Sequence, residues 1–138
     1  MQSGIFEKEY IAFLEGNLGN SSGTINAPIA RKENSIIERC IKENGEKAIT
    51  HYNLIENKQN FCIVNFKLET GRTHQIRVHS SYINHPILGD TLYGSPSTLI
   101  SRQALHAYKV RFIHPITKKY VQYISPIPDD MKKLQFLK

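Results

Sequence analysis

The segment Thr70–His79, TGRTHQIRVH, places two arginines and two histidines in ten residues, with no acid among them. The planar guanidinium forks of Arg72 and Arg77 suit the paired oxygens of phosphate or carboxylate, and Gly71 lets an anion approach the main chain closely. A helix beginning near Thr73 would add free N–H groups to the same preference. Phosphate of RNA or DNA is therefore the ligand class this run suits. One of the two arginines can equally be a structural ion-pair partner, with Glu69 as the acid beside them.

Other chemistries are less well served. His74, His79 and His85 are close in sequence, but residues five apart on a helix point about 140° apart, so His74 and His79 cannot share a ligand face. Cys40 and Cys62 form no CxxC pair. No metal and no cofactor is expected. There is no GxSxG elbow for a serine nucleophile, and GNLGNSSG (16–23) lacks the Gly-Lys-Ser/Thr of a phosphate-binding loop. It reads as a flexible connection.

The formal net charge of +6 is concentrated in one region. Residues 70–128 hold seven lysines and arginines against Asp90 alone, together with five of the six histidines, interleaved with Tyr82, Tyr93, Tyr108 and Tyr120. Basic residues mixed with aromatics suit a nucleic-acid-facing surface, with Arg72, Thr73, His74, Arg102, Lys109 and Arg111 as candidate nucleic-acid contacts. Solvated surface charge is the alternative. The two cysteines suggest a reducing, cytoplasmic setting. No run approaches the roughly 18 apolar residues of a membrane span, and the first ten residues lack the apolar stretch of a signal peptide.

These groups must be held by a single domain, since 138 residues can bury one core. Tyr10–Glu15 and Thr24–Ile29 read as strands of a hairpin with a long loop, and Ala48–Ile55 with Phe61–Leu68 as a second hairpin. Residues 31–47 are polar and mixed in charge, and are expected to be exposed. The spacing of Ile76 and Ile83, and of Val78 and Tyr82, predicts a helix from Thr73 to Ile83, capped by Thr73 and ended by Asn84 in a left-handed turn. Strands follow at Ala104–Ile113 and Lys119–Ile124. Met131, Leu134 and Leu137, behind Pro128 and two acids, predict a terminal helix. The class is α+β.

The ordered motifs TGRTHQIRVH, HPILGD (85–90), Tyr93-Gly94, RQALHA (102–107) and FIHP (112–115) resemble the RluA-type RNA pseudouridine synthases. The likeness continues upstream through KEYIA (8–12), Gly23-Thr24-Ile25 and GEKA (45–48), and covers the chain from about Lys8 to Pro128. Asn84 stands where the family more often has glycine, and both residues suit a left-handed turn. The resemblance implies part of a mixed, mostly antiparallel sheet with flanking helices. It also implies a reaction: a uridine is flipped out of RNA, its glycosidic bond is broken, and the uracil is turned and rejoined through carbon 5, without cofactor or metal.

In that family Tyr10 matches the active-site tyrosine, which stacks on the base and is a candidate to remove the carbon 5 proton. Arg77 matches the arginine that ion-pairs with the catalytic aspartate, and Leu105 the apolar residue packed against the base. The family's aspartate lies in a His-Arg-Leu-Asp segment, which this sequence does not contain. Asp90, Asp129 and Asp130 do not match it. The chain is thus expected to be the C-terminal part of a catalytic domain, inactive alone, with an open sheet edge that favours self-association. A non-catalytic RNA-binding module on the same scaffold is the alternative, and a protein-interaction domain a third.

Overall fold

The computed structural model describes residues 6–138. Six strands form one antiparallel sheet in the order β2-β5-β6-β1-β7-β8. They are β1 (Phe6–Glu15), β2 (Ser22–Asn26), β5 (Ile49–Asn57), β6 (Phe61–Leu68), β7 (Leu105–Ile113) and β8 (Tyr120–Ile124). A separate two-stranded ladder joins β3 (Ile29–Arg31) to β4 (Arg39–Ile41). Two helices complete the α+β architecture, α1 (Gln75–Tyr82) and α2 (Asp129–Leu134).

The expected pairing of the first two strands does not form. β1 lies between β6 and β7, with Ala12 opposite both Val64 and Leu105, while β2 pairs with β5. The physical reason is in the sequence: Ile11, Ala12, Phe13 and Leu14 are consecutive and all buried, which suits a central strand covered on both faces. In β2 only Ile25 is buried, which suits an edge. Residues 16–21 carry the chain past β6 and β5, about 14 Å at the usual strand spacing, and six extended residues can reach about 20 Å. The second expected hairpin forms as read, with Thr50 opposite Leu68 and a bulge at Leu54/Glu56.

The main core joins Phe13, Phe61, Val64 and Phe66 of the sheet to Ile87 and Leu88 of the loop after α1 and to Met131 and Leu134 of α2. Leu137, expected to continue that helical stripe, lies beyond the end of α2 and is 41% exposed. A smaller cluster of Ile29, Ala48 and Val78 ties the β3–β4 ladder to α1. Of the polar 31–47 stretch, most residues are exposed, but β3 and β4 give it order. At the far edge of the sheet, β8 presents exposed Tyr120, Tyr123 and Ile124.

Helix α1 is shorter than its periodicity suggests and begins differently. Its cap residue is His74, left-handed at φ 58° and making no side-chain cap, whereas Thr73 is exposed. Gln75 organises the turn: its Oε1 accepts the Thr70 hydroxyl at 2.8 Å and the Arg72 N–H at 3.0 Å. Its Nε2 donates to the Ile49 carbonyl at 3.0 Å and to Thr50 Oγ1 at 2.9 Å. The helix ends as predicted, with Asn84 at φ 68°.

Candidate active site

Tyr10 and Leu105 come from neighbouring central strands. Tyr10 is opposite Ala107, beside a bulge in the β1–β7 ladder, and Leu105 is opposite Ala12. Alternation therefore puts Tyr10 and Leu105 on one face as diagonal neighbours, within reach of a shared ligand. Arg77 reaches the same space from α1. Together they line a cavity of about 580 Å³, joined by Lys8, Arg72 and His74. That volume falls in the range of small-ligand sites.

Arg77 is fixed from two sides. Its Nε donates to Asp90 Oδ2 and its Nη2 to Oδ1, both at 2.9 Å, and its guanidinium lies 5.1 Å from the Tyr93 ring centroid. Arg77 thus has a carboxylate partner within the chain, Asp90, which the sequence reading did not assign to it, and Glu69 as the arginine partner is corrected, because Glu69 pairs with His51 instead. Burial raises the Asp90 pKa, but the Arg77 hydrogen bonds and the Tyr93 and Leu92 N–H groups outweigh it, leaving a net lowering. Asp90 is fully buried and does not line the cavity, so it holds Arg77 rather than meeting a ligand. Gly89 before it is required: a β-carbon there would lie 2.2 Å from the Arg102 carbonyl oxygen, and its φ is +78°.

The other candidate contacts divide. Arg72 lines the cavity, with Nε on the Lys47 carbonyl at 2.8 Å and Nη1 on Glu46 at 2.9 Å. The His74 Nδ1 is 2.7 Å from the Tyr93 hydroxyl, and burial, with Arg77 and Arg39 nearby, lowers its pKa. Thr73 lies on an adjacent groove. Arg102, Lys109 and Arg111 do not line the cavity. Arg102 forks onto Asp130, Lys109 lies 3.7 Å from Glu9, and Arg111 pairs with Glu7 and Glu9. Burial raises the Tyr10 pKa, so Tyr10 rests as a neutral phenol.

Several groups that shape the site escaped the sequence reading. Gln75 and His79 stand four apart on α1, and both are buried against Thr50 of β5. Their polarity concealed them in a search for apolar periodicity; Tyr82, counted on the apolar face, is 55% exposed. His79 Nδ1 meets Thr50 Oγ1 at 2.8 Å and its Nε2 meets the Ala27 carbonyl at 2.9 Å. Burial lowers the His79 pKa from 6.5, opposed only in part by the Ala27 hydrogen bond. The unfolded chain therefore binds the extra proton first. Stability should be full above about pH 6.5 and fall below it, by at most ~1.4 kcal/mol per pH unit, until the folded-state pKa is reached. Urea unfolding between about pH 7.5 and 5 checks this, and His79→Gln should flatten the profile.

Among the described residues no cluster of three or more His, Cys, Asp or Glu could hold a metal ion. Burial pushes the Cys62 thiol up to about 11, which makes it an inert core residue.

Residues 1–82 match the family of RNA pseudouridylate synthases. The chain belongs to that family. It is 45% identical over 133 residues to the uncharacterized RNA pseudouridine synthase YjbO of Bacillus subtilis, covering 96% of this chain and 47% of that protein. To the ribosomal large subunit pseudouridine synthase D of Vibrio parahaemolyticus it is 38% identical, covering 90% and 42%. The solved structure of human RNA pseudouridylate synthase domain containing 1 superposes with a TM-score of 0.79 at 30% identity, covering 88% of this chain and 54% of that one. The chain therefore spans less than half the length of these curated relatives.

Proposed function

We propose that this chain forms one side of the active site of an RNA pseudouridine synthase, which isomerises uridine to pseudouridine in structured RNA. The large-subunit names of several relatives favour ribosomal RNA as the substrate. The observation that carries the reading is the convergence of Tyr10, Arg77 and Leu105, from two strands and a helix, on one cavity. A uridine cannot react inside a base stack and must be extruded into such a pocket. There Tyr10 stacks on the uracil and Leu105 packs against it. The glycosidic bond between C1′ and N1 breaks, the uracil turns, and C1′ bonds to C5. The C5 proton then leaves and N1 gains a proton, so no atom is lost overall.

Tyr10 is the candidate acceptor of the C5 proton. Burial holds it as a neutral phenol, a weak base, so it must give up its own proton before it can take the one from C5. The remaining requirement is a catalytic carboxylate. Glu69 is the one acid on the cavity lining, exposed and paired with His51. We assign the catalytic role instead to an aspartate outside these 138 residues, brought to the free edge of Arg77.

The 138-residue chain alone should release no tritium from RNA labelled at carbon 5 of uridine. Joining it to a family segment carrying His-Arg-Leu-Asp should restore release. Turnover by the chain alone would overturn the division of the site. Salt-sensitive RNA binding that never becomes turnover, even after the segment is joined, would make the chain a non-catalytic RNA-binding module.

A further inference from the structure

We infer that a second groove, lined by Arg31, Arg39 and Arg72, holds the RNA backbone beside the target nucleotide. This deepens the RNA reading above and rests on it. The groove encloses about 460 Å³ and shares Gly71 and Arg72 with the base cavity, so a strand entering one passes the other.

Its charge is unbalanced in a way the fold alone does not explain. Arg31 and Arg39 are directly opposite each other in the β3–β4 ladder, a placement where like charges repel. Arg31 is exposed, and its side chain makes no hydrogen bond or ion pair among the described residues. The nearby acids are already engaged: Glu38 with Lys32 at 2.9 Å and Glu46 with Arg72 at 2.9 Å. Arg39 is pre-positioned, its Nη1 donating to the carbonyls of Ile36 at 3.3 Å and Ile37 at 3.1 Å, and its main-chain N–H to the Tyr93 hydroxyl at 2.9 Å. Three guanidinium groups facing one paired carboxylate suit an anion between them, and phosphate matches their fork geometry.

Gly71 lies on the rim shared by the groove and the base cavity. It has no positive φ, and a β-carbon there would meet nothing within 4 Å, so neither strain nor packing calls for glycine. A rim without a side chain leaves room for a ligand backbone to pass between groove and cavity. Beyond the groove, the tip of the same hairpin exposes Ile36 at 84% and Ile37 at 61%, an apolar surface on which an unstacked base can rest.

The test is fluorescence anisotropy of the chain with a single-stranded, uridine-containing RNA oligonucleotide, titrated with NaCl. The double variant Arg31→Gln/Arg39→Gln should lose affinity about tenfold and lower the slope of log affinity against log salt by about 1.4, two single-strand phosphate contacts' worth. Lys118→Gln/Lys119→Gln removes the same charge from the β7–β8 turn and should change the slope much less. The single Arg31→Glu variant, which breaks no side-chain hydrogen bond or ion pair among the described residues, should weaken binding in the same direction. An unchanged slope in the arginine variants, or an equal loss in the lysine pair, overturns the groove while leaving RNA binding intact. Absence of salt-sensitive RNA binding by the unaltered chain overturns the groove and the RNA reading together.

Discussion

Arg77→Lys, placed in the complete synthase, should reduce turnover by ~10²–10³-fold, the range for losing one preorganised donor at a reacting centre. RNA affinity should change by less than roughly threefold, because the positive charge stays in place. The reason is geometric. Arg77 commits Nε and Nη2 to Asp90 and leaves Nη1 without a hydrogen bond among the described residues. Its side chain is 15% exposed and lines the cavity that Tyr10 and Leu105 share. One planar group can thus grip a buried structural carboxylate with one edge and present the other edge to a catalytic carboxylate. Lysine keeps the charge but offers a single ammonium, which cannot face both ways. Steady-state turnover and RNA anisotropy on the same preparation separate the roles. An arginine that only holds phosphate would give the opposite pattern, weaker binding with turnover preserved once RNA saturates the enzyme.

The individual strands and helices were largely legible in the sequence because each carries its own periodic or turn signal. The order of strands was not, because pairing depends on which strand can be buried on both faces. The run Ile11–Leu14 held that information, but a hairpin reading gave more weight to the adjacent turn residues. Tyr10, Arg77 and Leu105 were legible as a set through the family motifs, and their separate strands and helix bring them to one cavity. Charge was the least legible property. A segment-by-segment tally made 70–128 strongly basic, yet Arg72, Lys109, Arg111 and Arg102 fold against Glu46, Glu9, Glu7 and Asp130, acids from distant parts of the chain. The unbalanced arginines at Arg31 and Arg39 lie instead in a stretch whose mixed composition looked neutral. Electrostatic footprints follow contacts, and contacts between distant residues are what local composition omits.

The same distinction gives the largest expected stability effect. Two arginines in this fold grip an aspartate with the same fork: Arg77 on Asp90 at 2.9 and 2.9 Å, and Arg102 on Asp130 at 2.9 and 2.8 Å. Burial is the largest difference between them. The Asp90 side chain is 0% exposed and Arg77 15%, against 43% and 41% in the other pair. Asp90→Asn leaves a mostly buried guanidinium without its counter-charge, and weakens an acceptor that also takes the N–H groups of Leu92 and Tyr93. It should destabilise the chain by about 3 kcal/mol, the lower end for breaking a buried pair, because some water reaches Arg77. Asp130→Asn, with water screening both partners, should cost less than about 1 kcal/mol. Urea midpoints with unchanged m-values compare the two directly. Acid gives a second readout for Asp90. The Asp90 pKa lies below its ordinary 3.8 in the folded chain, so its contribution is complete above that pH and is lost as pH falls through the lower folded value. The Asp90→Asn variant should therefore lose less additional stability than the unaltered chain below about pH 3.8, since asparagine has no proton left to take up. If the two substitutions cost the same, hydrogen-bond geometry and not desolvation would govern these pairs, and Asp90 would lose its claim to be the residue that holds Arg77 in the cavity.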